Sequence, residues 1–258
     1  MYKEYAKHLL IRTPLEKLTE KTKRLLQFRK RQKHPELDDI YMESQRIEQI
    51  MRCTIGDSFN CVDIGCHLGS MLSAMMELAP YGHHLAFEPT PRKARWLKQK
   101  FPEVDIREVA LSDAPGEVIF YQNVTRSGYS GLSRHGKGND TVREITVERE
   151  RLDKILLPER RIDFMKLDVE GGELAVLRGA AEMLERDRPL LLFECTQSGL
   201  SGFGFTSAQI FEFLTQHSYS VFLPKHFLNN GKPLDFEQFH NALQYPFKAF
   251  NFIAKAKH

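Results

Sequence analysis

Five acidic positions in this 258-residue chain stand where apolar runs end or turn, and these are the residues whose types and spacing suit chemistry. Asp63 lies in the run Cys61-Val62-Asp63-Ile64, which feeds the glycine-flanked stretch Gly65, Cys66, His67, Leu68, Gly69, Ser70. Glu88 follows His84 to Phe87 and precedes Pro89. Asp168 and Glu170 follow Ile162 to Leu167, and Glu194 follows Pro189 to Phe193. A carboxylate accepts hydrogen bonds from ammonium and hydroxyl groups, and it can take the proton of a reacting hydroxyl. Two acids as close as Asp168 and Glu170 are costly unless they bind or react. Glu170 also suits a plain capping role near a helix N-terminus.

Such groups need a rigid frame, and the apolar pattern supplies one. Phe59 to Ile64 reads as a buried strand, and Met71, Leu72, Met75, Met76 and Ala79 repeat at helical spacing behind the glycines. A strand entering a helix through glycines brings backbone N–H groups and a helix N-terminus to a ligand. The spacing is Asp-x-Gly-x-x-x-Gly. It is neither the G-x-G-x-x-G of a dinucleotide site nor a P-loop, for which no Lys-Ser/Thr pair follows. Glu88 ends the next strand about two dozen residues later, where a ribose-binding acid sits in nucleotide-binding α/β folds. Asp63, Gly65, Gly69 and Glu88 together suit a nucleoside with an amino-acid tail, and S-adenosyl-L-methionine is the natural candidate. Its ammonium is expected near the glycine turn and its ribose near Glu88 and Pro89. A third strand, Val104 to Val109, leads to Ala110-Leu111-Ser112, placed to pass the adenine.

The whole chain fits one large α/β domain with an appendage. Hydrophobic residues make up 41% of it. Residues 1–34 hold eleven Lys or Arg and three Glu, a net +8, against −5 for the rest. We expect a basic helical arm over 1–55, with Thr13-Pro14-Leu15-Glu16 as a helix start and a second helix marked by Leu37, Ile40, Tyr41, Ile47 and Met51. The domain proper runs over 56–258. The arm is either a solvated helix face or a contact for an anionic surface, a membrane or a lipid-linked substrate among them. No run spans a bilayer, and no signal-peptide core stands at the N-terminus. The four cysteines form no C-x-x-C pair, which suits reduced core thiols. A cytoplasmic location, peripheral to the membrane at most, is therefore expected.

Further along, Glu117 to Tyr121 and Val142 to Val147 read as added strands around a polar segment, Asn123 to Asp140. Ser127, Tyr129, Ser130, Arg134 and His135 on it can address an acceptor. Leu174, Leu177, Ala181 and Leu184 mark a helix after Gly171, and Thr206 with Gln209 caps another. Ser198 to Gly204 resembles a flexible loop. The strands Tyr219 to Leu223 and Phe250 to Ala254 close the sheet, the last antiparallel because a hairpin-like connection without a clear helix joins them.

Four motifs in this order, Val62-Asp63-Ile64-Gly65, Phe87-Glu88-Pro89, Ala110-Leu111-Ser112 and Lys166-Leu167-Asp168-Val169-Glu170-Gly171, resemble the FkbM family of S-adenosylmethionine-dependent methyltransferases. The resemblance covers Phe59 to Glu194. It implies a class I, Rossmann-like, doubly wound seven-stranded sheet and O-methylation of sugar or polyketide hydroxyls. It carries over Asp63, Gly65 and Gly69 as the methionine-binding turn, Glu88 as the ribose ligand, and Asp168 and Glu170 as site acids. Cys66-His67 stands where many members have alanine and asparagine, so His67 is expected to make its own contact to the methionine tail.

Methyl transfer to a hydroxyl needs alignment, water exclusion and a proton acceptor. Asp168 is the first candidate base, His135 the second because an imidazole titrates near neutrality, and Glu194 the third. A divalent ion bridging Asp168 and Glu194 would lack an evident third ligand, so no metal is expected. The acceptor is expected to be a glycan or other hydroxylated metabolite. An RNA methyltransferase is the alternative enzyme, disfavoured because no RNA-binding module or aromatic-basic interleaving is present. A cofactor-binding scaffold without activity is the non-enzymatic alternative.

Overall fold

The computed structural model describes residues 31–134 and 139–257. The expected Thr13 helix start and His135 lie outside the described residues. Helix α1 (Asp38–Thr54) leads to strand β1 (Cys61–Ile64), helix α2 (Ser70–Leu78), strand β2 (Leu85–Phe87), helix α3 (Pro91–Lys100) and strand β3 (Asp105–Arg107). The hairpin region follows as β4 (Ala110–Leu111), β5 (Gly116–Asn123) and β6 (Val142–Glu150). Next come α4 (Leu152–Ile155), β7 (Phe164–Leu167), α5 (Glu173–Gly179), α6 (Ala181–Asp187), β8 (Leu190–Glu194), α7 (Gln197–Gly202) and α8 (Ser207–Gln216). The chain ends in β9 (Tyr219–Phe222), α9 (Pro224–Leu228), α10 (Phe236–Ala242) and β10 (Asn251–Ala256).

The seven-stranded sheet has the order β3-β2-β1-β7-β8-β10-β9. All neighbours pair in parallel except β10, which runs antiparallel to both β8 and β9. Strands covered on both faces are mostly apolar, and the four residues of β1 and the four of β7 are all buried, the charged Asp63 and Lys166 among them. From β1 the chain first fills one half of the sheet, then returns through β7 to build the other. The β1–β7 boundary is therefore the switch point, where ligands bind at the carboxyl ends of the strands.

Three expectations need correction. Two short helices, α9 and α10, separate β9 from β10, so the last strand is antiparallel without being a hairpin partner. The helix after Gly171 breaks at Ala180 into α5 and α6. The Ser198 to Gly204 stretch is mostly helix α7, capped by the Thr206-like device at its own start: Thr196 Oγ1 accepts from Gly199 N at 3.1 Å. The Thr206–Gln209 capping box of α8 is present.

Strands β4, β6 and β5 form a second small sheet. Helix α1 is part of the main body. Its Ile50 and Met51 are buried in one cluster with Cys61, Met75, Phe164, Leu192 and Ile253. Its Glu43 carboxylate accepts from Phe250 N, Asn251 N and Asn251 Nδ2 at 2.7–3.0 Å. Cys61, Cys66 and Cys195 are buried and all four cysteines are free thiols. No described helix is long and apolar enough to cross a membrane.

Candidate active site

A cavity of about 310 Å³ opens at the switch point. Its floor is the β1–α2 turn. Gly65, His67 and Gly69 all have positive φ, at 74°, 54° and 84°, so the turn coils tightly, as glycine permits. Gly65 N and Cys66 N donate to the Phe87 carbonyl at 3.0 and 3.1 Å, which ties the turn to β2. Glu88, just past β2, is buried. Its Oε2 accepts from His67 N and its Oε1 from Thr90 N, both at 3.0 Å. Each oxygen keeps a further lone pair for a hydroxyl donor, and the side chain lines the cavity.

Of the residues singled out from the sequence, Gly65, His67, Ser70, Glu88, Pro89, Ala110, Leu111, Ser112, Asp168 and Glu170 line this cavity. Gly69, Asp63 and Glu194 do not. Gly69 packs backward, where an added Cβ would lie 2.4 Å from the Phe101 ring. Asp63 is fully buried beneath the turn, and its carboxylate faces Lys166 at 3.4 Å instead of the open space. The expectation that Asp63 meets an ammonium of the ligand directly is thus corrected. The reason is a lysine inside the neighbouring strand. Lys166 Nζ donates to the Gly65 carbonyl at 3.0 Å and lies 3.3 Å from Asp168 Oδ2. Burial works against its charge, but the Asp168 and Asp63 carboxylates outweigh that and raise its pKa.

The acids beyond β7 and β8 converge. Register pairs Leu167 with Phe193, so Asp168 and Glu194 emerge side by side. Glu170 has φ +59°, a left-handed conformation rare outside glycine, and this folds it back toward them. One carboxyl oxygen from each of Asp168, Glu170 and Glu194 lies within 4.8 Å of the others. The third carboxylate that the sequence did not make evident is therefore Glu170. Burial pushes the Glu194 carboxyl up, and the adjacent Asp168 charge adds to it, to about 11. Burial also opposes the Asp168 charge, but the Lys166 ammonium and the Glu194 proton hold it below the ordinary carboxylate range. At neutral pH this pair carries one proton, on Glu194, shared by hydrogen bond with Asp168. Burial and then the charges of Asp168 and Glu173 push Glu170 up to about 8. A divalent cation could sit among the three acids only after two of them release protons.

Glu173 supports the cluster from below. Its Oε1 accepts from Val169 N at 2.9 Å and Gly171 N at 3.2 Å, fixing the turn that presents Asp168 and Glu170. Burial nevertheless pushes its carboxyl to about 7.

The β5–β6 hairpin roofs the cavity. Asn123 is fully buried and accepts from Thr125 N and Arg126 N, while its Nδ2 reaches Asp140. Arg126 pairs with the same Asp140. The polar segment is thus clamped at both ends. Ser127 and Ser130, named from the sequence, line the cavity. Tyr129 is half-exposed beneath the Arg126 guanidinium, whose carbon is 4.6 Å from the ring centroid. Arg134 does not line the cavity. His67, in place of the family's asparagine, puts Nε2 2.7 Å from Ser127 Oγ, so its ring joins turn to roof. Lys93 donates to the Ser127 carbonyl at 3.2 Å.

Sequence reasoning missed the roles of Lys166, Lys93 and Glu173. Only Lys166 left a signal: a lysine within the apolar run Phe164-Met165-Lys166-Leu167 demands a buried counter-charge.

The donor set fits a cationic nucleoside. Acids at three sides suit an ammonium, a sulfonium and a ribose diol, and Ala110 and Leu111 give an apolar wall for a ring.

Comparison with known proteins agrees. Residues 63–221 match the model of the Methyltransferase FkbM domain. Over 144 residues the chain is 30% identical to 2-O-methyltransferase NoeI of Sinorhizobium fredii (strain NBRC 101917 / NGR234). That match spans 49% of this chain and 59% of NoeI. Among solved structures, a methyltransferase FkbM from Methylobacillus flagellatus KT aligns with TM-score 0.48 and 14% identity, over 78% of this chain and 44% of that one. A TehB-like SAM-dependent methyltransferase from Corynebacterium glutamicum aligns with TM-score 0.43 and 10% identity, over 83% and 88%. The family match covers more than half of the sequence, and the chain belongs to the FkbM family of S-adenosylmethionine-dependent methyltransferases.

Proposed function

We propose that the chain transfers a methyl group to a hydroxyl oxygen of a sugar or a related hydroxylated acceptor. The observation that carries this is the group of three carboxyls, Asp168, Glu170 and Glu194, of which the first two line the cofactor-sized cavity and the third lies against them. Such a group recognises hydroxyls and accepts their protons. The similarity to a protein named a 2-O-methyltransferase supports the same reading.

When bound, S-adenosylmethionine supplies an electrophilic methyl carbon with a neutral thioether as leaving group. In this reading Glu88 holds the ribose diol, Ala110 to Ser112 flank the adenine, and the turn from Gly65 to Ser70 with Asp168 holds the methionine tail. Lys166 keeps Asp168 ionised. The acceptor oxygen forms its bond to the methyl carbon as the carbon–sulfur bond breaks, and the hydroxyl proton passes to Glu170. Glu170 is preferred over Asp168 as base because the latter is held too weakly basic. Glu194 already carries a proton and serves as a hydrogen-bond donor. The products are a methyl ether and S-adenosylhomocysteine. The basic charge of residues 1–34, a net +8, suits an anionic or lipid-linked acceptor in this scheme.

Two outcomes are expected. Glu88→Ala should weaken S-adenosylmethionine binding by about 100-fold, the worth of charge-assisted hydrogen bonds to a diol, as read by calorimetric titration. For Glu170, the ionised form is the active one, so kcat should rise with pH through an apparent pKa near the value of about 8. Glu170→Gln should abolish that rise and lower kcat by about 100-fold or more, with cofactor affinity retained. The activity itself is tested by labelled methyl transfer to a panel of glycans, small polyols and RNA. Label on RNA alone would replace this reading with the alternative enzyme, and no label on any member with intact cofactor binding would favour the scaffold.

A further inference from the structure

A second cavity, of about 590 Å³, lies at the opposite edge of the main sheet. Arg161 precedes β7, Arg186 and Arg188 precede β8, and Lys255 and Lys257 belong to the end of antiparallel β10. The acids of the first site follow β7 and β8. The length of a strand, about 15 Å at 3.3 Å per residue, separates the two, so nothing bound here touches the transferred methyl.

The charges around this cavity are uneven. Arg161 is matched by Asp163 at 3.1 Å and Arg186 by Asp187 at 2.7 Å. The other three cations have no carboxylate within ion-pair distance among the described residues. Arg188 Nη1 donates to the Lys257 carbonyl, at 3.1 Å. Lys255 lies in β10 and Lys257 just after it, where Lys257 N continues the pairing by donating to the Ser218 carbonyl at 2.7 Å, so the two lysines project to one side. Leu190, Phe227 and Ala256 give the cavity an apolar floor. A concave surface lined by several like charges focuses their field. Arg188 also holds φ +52°, a conformation that glycine would adopt without cost and arginine does not. The chain thus keeps a strained arginine at the centre of an unmatched cationic cluster.

We propose that this cavity is an anion-binding site that takes a phosphate or pyrophosphate group, separate from the methyl-transfer site. Three unmatched cations around a concave, partly apolar surface suit a multiply charged head with an apolar or sugar portion beside it. The ligand is either a soluble phosphorylated compound or an anionic lipid headgroup. This inference does not rest on the acceptor assigned above.

The test uses the full chain, so that the basic residues 1–34 are present in parent and variants alike. Inorganic pyrophosphate is titrated calorimetrically into the parent, into Arg188→Gly, and into the double variant Lys255→Gln/Lys257→Gln. Glycine suits the backbone at 188, and the two lysines are exposed, so both variants should fold and bind S-adenosylmethionine as the parent does. The expected result is saturable pyrophosphate binding in the parent, weakened about tenfold or more in each variant. A vesicle arm, phosphatidylglycerol against phosphatidylcholine, identifies the source. Binding to the anionic vesicles that falls in the variants marks a headgroup, and its absence beside pyrophosphate binding marks a soluble ligand. Equal pyrophosphate affinity in parent and variants, or no saturable binding in the parent, overturns the proposal.

Discussion

Lys166→Met is expected to destabilise the fold by about 3–5 kcal/mol, because it strips the counter-charge from a carboxylate that cannot reach water. Asp63 is fully buried, and neither of its oxygens has a geometrically sound hydrogen bond among the described residues. Its compensation is the Lys166 ammonium at 3.4 Å. The same ammonium holds the Gly65 carbonyl and faces Asp168, so its loss also releases the glycine turn from β7. Chemical denaturation should show a lower midpoint with an unchanged slope. The double variant Lys166→Met/Asp63→Asn should recover much of the loss, since a neutral amide is far cheaper to bury than an unpaired charge. Purely additive effects of the two changes would show that the pair is not coupled. Cofactor binding should be weaker in both variants, because Asp168 loses the neighbour that keeps it ionised.

The same lysine shows how far the sequence could be read. Asp63, Gly65, Glu88 and Asp168 stand at strand ends, and the βαβ pattern places strand ends at one edge of the sheet. Twelve of the sequence-derived candidates accordingly line one cavity. What spacing could not reveal is direction. Asp63 faces inward because of a lysine one hundred residues away, and that contact exists only through the β1–β7 register. Glu170 joins Asp168 and Glu194 because its backbone adopts φ +59°, which no periodicity signals for a glutamate. The polar segment after Asn123 reads in the sequence as a long loop able to address an acceptor and no more, because what holds its described ends is one buried asparagine and an Arg126–Asp140 pair. Helix α10 is seven residues long, too short for a periodic signal. Its capping box, Asp235 with Gln238, was the local cue that remained.

Gly65→Ala should be strongly destabilising, for among the described glycines it has the closest backbone obstacle to an added methyl group. The position has φ +74°, and a Cβ built there would lie 1.8 Å from the Asp168 carbonyl oxygen. The left-handed conformation alone costs an alanine about 1–2 kcal/mol. The clash adds to this and cannot be relieved by rotating a side chain, because the obstacle is backbone. Moving it means parting β1 from β7, where Asp168 N donates to the Ile64 carbonyl at 3.1 Å. The expected result is a loss of about 3 kcal/mol or more in unfolding free energy, with S-adenosylmethionine binding lost beyond what stability explains. Gly128→Ala is the matched control. It also lines the cavity, yet nothing lies within 4 Å of its added Cβ. Its stability should stay within about 0.5 kcal/mol of the parent. If Gly65→Ala were as benign as Gly128→Ala, the close approach of the two strand-end turns would be wrong, and with it the placement of Asp168 over the methionine-binding turn. If only Gly65→Ala loses both stability and cofactor, the site depends on that approach, and the glycine is required by the Asp168 backbone and not by the ligand.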